Sequence, residues 1–219
     1  MAGITHPCRG VNKPRVARKT MQTLSEEQVR LFLSEARRDR LYALYVVALT
    51  TGLRQGELFA LHWADIDLEA GTITVRHTLQ EYGSELTLAE PKTSRSRRSV
   101  PISDRVVAAL RAHHKQMMID GNPGPWVFCD TTGGPLRKSN VTRRSFRPLL
   151  KRAGLPLIRF HDLRHTAATL WLIKGVHPKV VQERLGHSSI AITLDTYSHV
   201  LPSMQRDAAE RLDDLLAEA

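Results

Sequence analysis

The sequence predicts a mainly helical protein with one small antiparallel sheet, an α+β fold. Two observations carry that prediction. Apolar residues recur at helical spacing, with caps, through most of the chain. Alternating apolar and polar residues are confined to one region, from Gly71 to about Ile102.

Taken in order, residues 1–22 hold five Arg and Lys and two Pro with little apolar periodicity, and read as a basic linker or tail. "SEEQVRLFLSEARRD" opens a helix, with Ser25 and Gln28 spaced as a capping box. "LYALYVVALTTG" is apolar on nearly every side and is expected to be a buried helix ending at Gly52. A short helix follows over about Gln55 to Leu61. In "TITVRHTLQ", Ile73, Val75, His77 and Leu79 alternate as in a strand. "SELTLAE" and "RRSVPI" supply two more strands, with a turn near "PKTSRS". Ser103 or Asp104 then caps an amphipathic helix, and "GNPGP" and "TTGGP" are loops around the apolar run "WVFC". Helices follow over Asn140–Ala153, Leu163–Lys174, Pro178–Leu185, Ser189 to about His199, and Met204–Ala217.

The chain has 219 residues, enough for one or two domains with a sizeable core. Its 32 Lys and Arg outnumber 22 Asp and Glu, giving a formal charge of +10. That balance favours a polyanionic partner. The longest apolar stretch, Leu41–Leu49, is too short to span a bilayer, and no signal-peptide pattern opens the chain. Nucleic acid is therefore the expected partner, rather than a membrane. Cys8 and Cys129 make no metal-type cluster and are expected to be reduced thiols of a cytosolic protein.

"HDLRHTAATL" raises the central chemical question. His161 and His165, four apart, have zinc-ligand spacing on a helix. Yet the residue after the first His is Asp162, where a metalloprotease helix carries Glu, and Asp162 is a natural N-cap for a helix starting at Leu163. If it caps, His161 lies outside the helix and the shared face is lost. A zinc hydrolase also leaves the basic composition unexplained. The phosphate reading fits better. A helix N-terminus favours an anion, Arg164 in the first turn can grip two phosphate oxygens, and His161 can donate or move a proton. Elsewhere, "TGLRQGELFAL" puts Arg54 after a Gly turn with Glu57 three residues on, placed to hold the guanidinium. In "LGHSSIAITLDTYSHV", Gly186 can end a helix, His187 lies in the turn, and Tyr197 follows ten residues later. Taken alone, Tyr197 reads as a core tyrosine, because it shares helical spacing with Ile190 and Leu194.

Arg54, then "HDLRH", then "LGH", then a tyrosine ten residues on, in that order, resembles the catalytic domain of the tyrosine recombinases, the phage integrase family. "TGLRQGELFALHWADID" is similar to the family's first arginine box and "EPKTSRSRRSVPI" to its sheet-lysine motif. The resemblance covers roughly residues 23–201. It implies a tyrosine recombinase catalytic-domain fold and a site-specific recombinase that cleaves and rejoins DNA through a 3′-phosphotyrosyl link. Tyr197 matches the nucleophile. Arg54 and Arg164 match the arginines on the non-bridging oxygens. His161 matches the histidine that donates to the phosphate or accepts a proton, and His187 the later His/Trp position. Lys92 matches the general acid for the leaving 5′-oxygen, and Glu57 a supporting acidic position. The other histidines, His62 and His77 among them, are left as structural or solvent-facing, with His165 the exception because it neighbours the site, and any of Arg95, Arg97 and Arg98 can be a contact to DNA backbone only.

That chemistry needs no metal, nucleotide or other cofactor. The resemblance further implies double-stranded DNA as partner, a homotetramer on paired sites, and a cytoplasmic, nucleoid-associated location in a bacterium. "HPCRGVNKPRV" resembles an interdomain linker, so the chain is expected to be a catalytic-domain fragment, or else a short natural relative. Residues 202–219 are expected to form an acidic-faced helix that either docks in trans once DNA assembles the tetramer or folds back on its own domain. Two alternatives stay open: a type IB topoisomerase-like enzyme that nicks and reseals one duplex, and a DNA-binding module without catalysis.

Overall fold

The computed structural model describes residues 21–90 and 97–197, together with Glu210 and Asp213. The linker, the turn near "PKTSRS", Lys92, Cys8 and the C-terminal helix expected from the sequence therefore lie outside the described residues, apart from those two helical positions.

Helix α1, Glu26–Ala36, begins with the expected capping box: Gln28 N–H donates to Ser25 Oγ at 3.2 Å, and Ser25 N–H donates to Gln28 Oε1 at 2.9 Å. Helix α2, Tyr42–Thr51, is buried on nearly every side and ends at Gly52, whose φ of 62° is the left-handed conformation that glycine adopts freely. Helix α3, Gln55–Phe59, follows at once.

The sheet region departs from the single sheet expected. Strands β1 (Ile66–Asp67), β2 (Thr72–Val75) and β5 (Arg98–Pro101) form one antiparallel sheet in the order β1-β2-β5, with Ile73 opposite Val100. Strands β3 (Thr78–Tyr82) and β4 (Glu85–Ala89) form a separate hairpin, with Leu79 opposite Leu88. The period-two run of the sequence thus breaks at Arg76–His77. The cause is packing: the hairpin leaves the first sheet to lie against α3. Gly56 permits the approach, because a Cβ there would sit 2.6 Å from Thr78 Oγ1 and 2.8 Å from the Leu79 carbonyl.

Helix α4, Asp104–Ile119, packs on α2 through Val106 and Leu110. The helix expected from Asn140 is present but interrupted: α5 (Lys138–Val141) and α6 (Arg147–Arg152) flank a π turn over Thr142–Phe146. Pro148 supplies the reason, since it has no N–H to bond four residues back, and Arg147 N–H reaches the Thr142 carbonyl instead. Helices α7 (Asp162–Ile173), α8 (Pro178–Leu185) and α9 (Ile190–Tyr197) complete the described chain.

The main core gathers Phe32, Tyr45, Phe146 and Phe160, with Phe32 edge-on to Tyr45 at 5.2 Å between centroids. A smaller cluster joins Ala168, Leu172, Val181 and Leu185 to Tyr197. Together they fix α7 against α2, and α8 and α9 against α7. Among the described residues, no helix is long and apolar enough to cross a membrane.

Candidate functional site

The two helix-ending glycines build the site's frame. Gly52 turns the chain out of α2 and Gly186, with φ 65°, turns it out of α8. Their exposed carbonyls then become acceptors for arginines. Arg164, 4% exposed, donates through Nη1 to the Gly52 carbonyl at 2.7 Å and through Nη2 to the Leu185 carbonyl at 2.9 Å. Arg54 donates through Nη2 to the Gly186 carbonyl at 3.1 Å. Helix C-terminal carbonyls lack internal partners, so each guanidinium satisfies groups the fold would otherwise leave open.

Glu57 holds the set together. Its carboxylate accepts from Arg54 Nη1 at 2.8 Å, from the Arg54 backbone N–H at 2.8 Å, and from Arg98 Nη2 at 2.8 Å. Arg98 also donates through Nε to the Arg184 carbonyl at 2.8 Å. Burial alone would raise the Glu57 carboxyl, but the hydrogen bonds and charge of Arg98 and Arg54 bring it below its ordinary value. Glu57 is therefore an anion at neutral pH, shared by two arginines.

The histidines and the tyrosine face the same frame. His161 precedes α7, and its ring lies edge-on to His165, 4.9 Å between centroids. His165 Nδ1 is 3.0 Å from the Tyr197 hydroxyl. His187 Nδ1 is 2.9 Å from Thr193 Oγ1 on α9, one turn before Tyr197. Burial, then the positive charges nearby, pushes His165 and His187 down to about 4, and His161 also below its ordinary value. These imidazoles are neutral at pH 7. Burial raises the Tyr197 hydroxyl to about 12, against the pull of Arg164. Burial and the neighbouring Arg54 lower Arg164 to about 9, which leaves it cationic at pH 7.

Six of the seven residues singled out by the sequence, Arg54, Glu57, His161, Arg164, His187 and Tyr197, meet around the α2–α3 turn, the start of α7 and the α8–α9 turn. The seventh, Lys92, lies outside the described residues. Tyr197 is 1% exposed, so the core-tyrosine reading is correct for its ring, while its hydroxyl meets His165. One expectation is corrected. Asp162 is not the cap of α7; it is the helix's first residue, and the cap position is His161, with helical φ and ψ. The Asp162 carboxylate instead reaches back to Arg159, accepting from its backbone N–H at 2.7 Å and its guanidinium at 2.7 Å. Charge-assisted bonds to Arg159 outcompete ordinary capping. That correction restores the shared face of His161 and His165, whose ring centroids are 4.9 Å apart, but among the described residues no third His, Cys, Asp or Glu completes a ligand group with them.

Two residues join the site beyond those seven. His165, which the sequence sets apart only for its nearness to the site, contacts the tyrosine directly, and its four-residue spacing from His161 is the signal for it. Arg98 is buried against Glu57, with its side chain 8% exposed, rather than turned to solvent. Its alternation with buried Val100 on β5 was the signal, masked by the neighbouring arginines.

Chemically, the arrangement is a positively charged cluster suited to an anion. Two fixed guanidiniums, neutral imidazoles and one hydroxyl converge where a single carboxylate offsets the arginines. A phosphodiester would supply the missing negative charge.

Comparisons with known proteins identify the family of the chain. The phage integrase family matches residues 22–204. A tyrosine recombinase XerC-like protein of Caldanaerobacter subterraneus is 35% identical over 89% of this chain and 54% of its own length. The ICEBs1 integrase of Bacillus subtilis is 32% identical over 96% of this chain and 59% of its own length. The chain thus spans somewhat more than half the length of these relatives. The Tn1549 transposon integrase, solved in complex with circular intermediate DNA, superposes with a TM-score of 0.74 at 30% identity, over 89% of this chain and 68% of that one. With the family matched across most of its length, and with the fold of the solved integrases, the chain belongs to the phage integrase family.

Proposed function

We propose that this chain is the catalytic domain of a site-specific DNA recombinase, and that Tyr197 is its nucleophile. The observation that carries the reading is the convergence of the Tyr197 hydroxyl with Arg54, Arg164 and three histidines in one positively charged cluster. Residues 23–201 form the catalytic unit, residues 1–22 a linker to a preceding DNA-binding domain, and residues 202–219 a helix that docks on a neighbouring protomer. The partner is double-stranded DNA. The working assembly is a homotetramer on paired sites, in the cytoplasm of a bacterium.

The tyrosine oxygen attacks phosphorus, the O–P bond to the 5′-oxygen breaks, and a 3′-phosphotyrosyl link forms. The hydroxyl of a group raised to about 12 needs a base as it attacks. His165, neutral and 3.0 Å away, accepts the proton at Nδ1 when its own proton sits on Nε2. Arg54, Arg164 and the N–H groups of His161 and His187 stabilise the charge developing on the phosphate oxygens. Lys92 gives a proton to the leaving 5′-oxygen. Rejoining reverses the steps with a new 5′-hydroxyl, and the bond energy is kept in the link, so no ATP is required.

The test is a nicked suicide duplex, which loses its 5′ fragment on cleavage and traps the adduct. From a pool with randomised flanks, the wild-type protein should capture DNA as an SDS-resistant complex. Tyr197→Phe should bind the same DNA with little loss and capture none. Adduct formation by the Phe variant would overturn the assignment.

A further inference from the structure

We propose that His62, Asp65 and His77 form a binding site for a divalent transition-metal ion, Zn2+ foremost, that clips the break between β2 and β3 to the turn after α3. Donor atoms of these three residues lie within 4.8 Å of one another, and among the described residues they are the only such group of three. The site is separate from the tyrosine chemistry and does not depend on it.

Three observations point to a ligand there. Asp65 is buried, with its side chain 5% exposed. Its partners are the His62 backbone N–H at 3.0 Å and Arg76 Nε at a long 3.4 Å, from a side chain that is 57% exposed. A buried carboxylate normally has closer compensation. Next, His77 Nδ1 is buried with no hydrogen-bond partner, and an orphaned buried polar atom is destabilising. Last, the His62 ring is already held, 4.4 Å from the Trp126 ring, on a backbone bridged to Trp126. Its centroid is 6.3 Å from that of His77.

The donor set is two imidazoles and one carboxylate, with net charge −1 when the imidazoles are neutral. That combination suits borderline first-row ions, Zn2+ among them, and leaves positions open for water. Two donors on one zinc lie about 3.4 Å apart at the tetrahedral angle, so the triad must contract by up to about 1.4 Å, which imidazole rotation can supply. Arg76 is the competitor for Asp65 and swings into solvent when the ion binds. The consequence is mechanical. His77 lies in the two-residue break where the chain leaves the three-stranded sheet for the β3–β4 hairpin. An ion shared with His62 and Asp65 fixes the hairpin's angle to the rest of the fold.

The experiment titrates Zn2+ into the chelator-stripped full chain by calorimetry, and reads Tm with and without the ion. One equivalent should bind and raise Tm. His62→Gln and His77→Gln should each weaken binding at least tenfold and lose the Tm rise, while His177→Gln, on the far turn before α8, should behave as wild type. Co2+ in place of zinc should give visible absorption without a thiolate charge-transfer band, which excludes Cys8 and Cys129 as ligands. No saturable binding, or binding unchanged in both His62→Gln and His77→Gln, would overturn the proposal. Either result leaves the role of Tyr197 untouched.

Discussion

A buried carboxylate shared by two arginines is the most consequential single residue of the pocket. Glu57→Ala leaves Arg98 buried without its anion and lets the Arg54 guanidinium swing. Breaking such a buried pair costs about 3 kcal/mol or more, so urea unfolding should show a clear fall in midpoint, with DNA capture falling as well. His165→Gln keeps much of the ring's volume and removes the imidazole proposed to accept the proton of Tyr197. Loss of a general base costs roughly 10²–10⁴ in rate; single-turnover capture should slow within that range while DNA affinity holds. Equal loss of affinity and rate would make His165 structural instead. The histidines also set an acid limit. His165 and His187, at about 4 in the fold, titrate near 6.5 when unfolded. Between those values the unfolded chain binds more protons than the folded one, so stability falls as pH falls through that window. Glu57 and Asp162, held below their ordinary values, lose their contribution only further down. Tm measured from pH 7 to 4.5 should decline, and His165→Gln with His187→Gln should flatten the decline.

At the level of elements, the pocket is made by how helices end. Gly52 and Gly186 both take the left-handed turn that opens their helix carbonyls to Arg164 and Arg54. Gly186→Ala would strain that backbone and set a Cβ 2.9 Å from Arg98 Nη1. It should destabilise by at least about 1 kcal/mol and cut DNA capture, measured on one preparation by unfolding and by adduct yield. Unchanged yield would detach the α8 cap from the site. These ends were legible in the sequence, because glycine after an apolar helical run has one local meaning. So were the capping box at Ser25 and the placing of Arg54, Arg164 and His187 in turns or first turns. The split of the sheet was not. His77 fits a period-two pattern as well as it fits a break, and only packing of the hairpin on Gly56 decides between them. The Asp162 cap was misread for a similar reason: the sequence offers a capping residue, and Arg159, three residues before it, takes the carboxylate. Arg98 turned inward because β5 pairs with β2, a contact distant in sequence.

Across the whole molecule, the proposed chemistry draws on a positive charge and a buried tyrosine. A formal charge of +10 should make DNA binding fall steeply with salt, with log affinity losing about 0.9 per decade of salt for each phosphate contacted. A flat salt response would remove the backbone-contact account of the basic composition. Arg164→Ala should reduce capture far more than affinity if its guanidinium serves the transition state as proposed. The central claim is narrower: one particular oxygen attacks the DNA. The chain has four tyrosines, and their surroundings differ sharply. Tyr45 is buried against Ser145, Tyr82 is 66% exposed on the hairpin, Tyr42 opens α2, and Tyr197 alone meets the arginine and histidine pocket. The direct measurement is peptide mapping by mass spectrometry of the protein trapped on a suicide duplex, after nuclease trimming. The account predicts a nucleotide remnant on the peptide that contains Tyr197, with fragment ions placing it on that side chain. A remnant on Tyr42, Tyr45 or Tyr82, or on any serine or histidine, would contradict it.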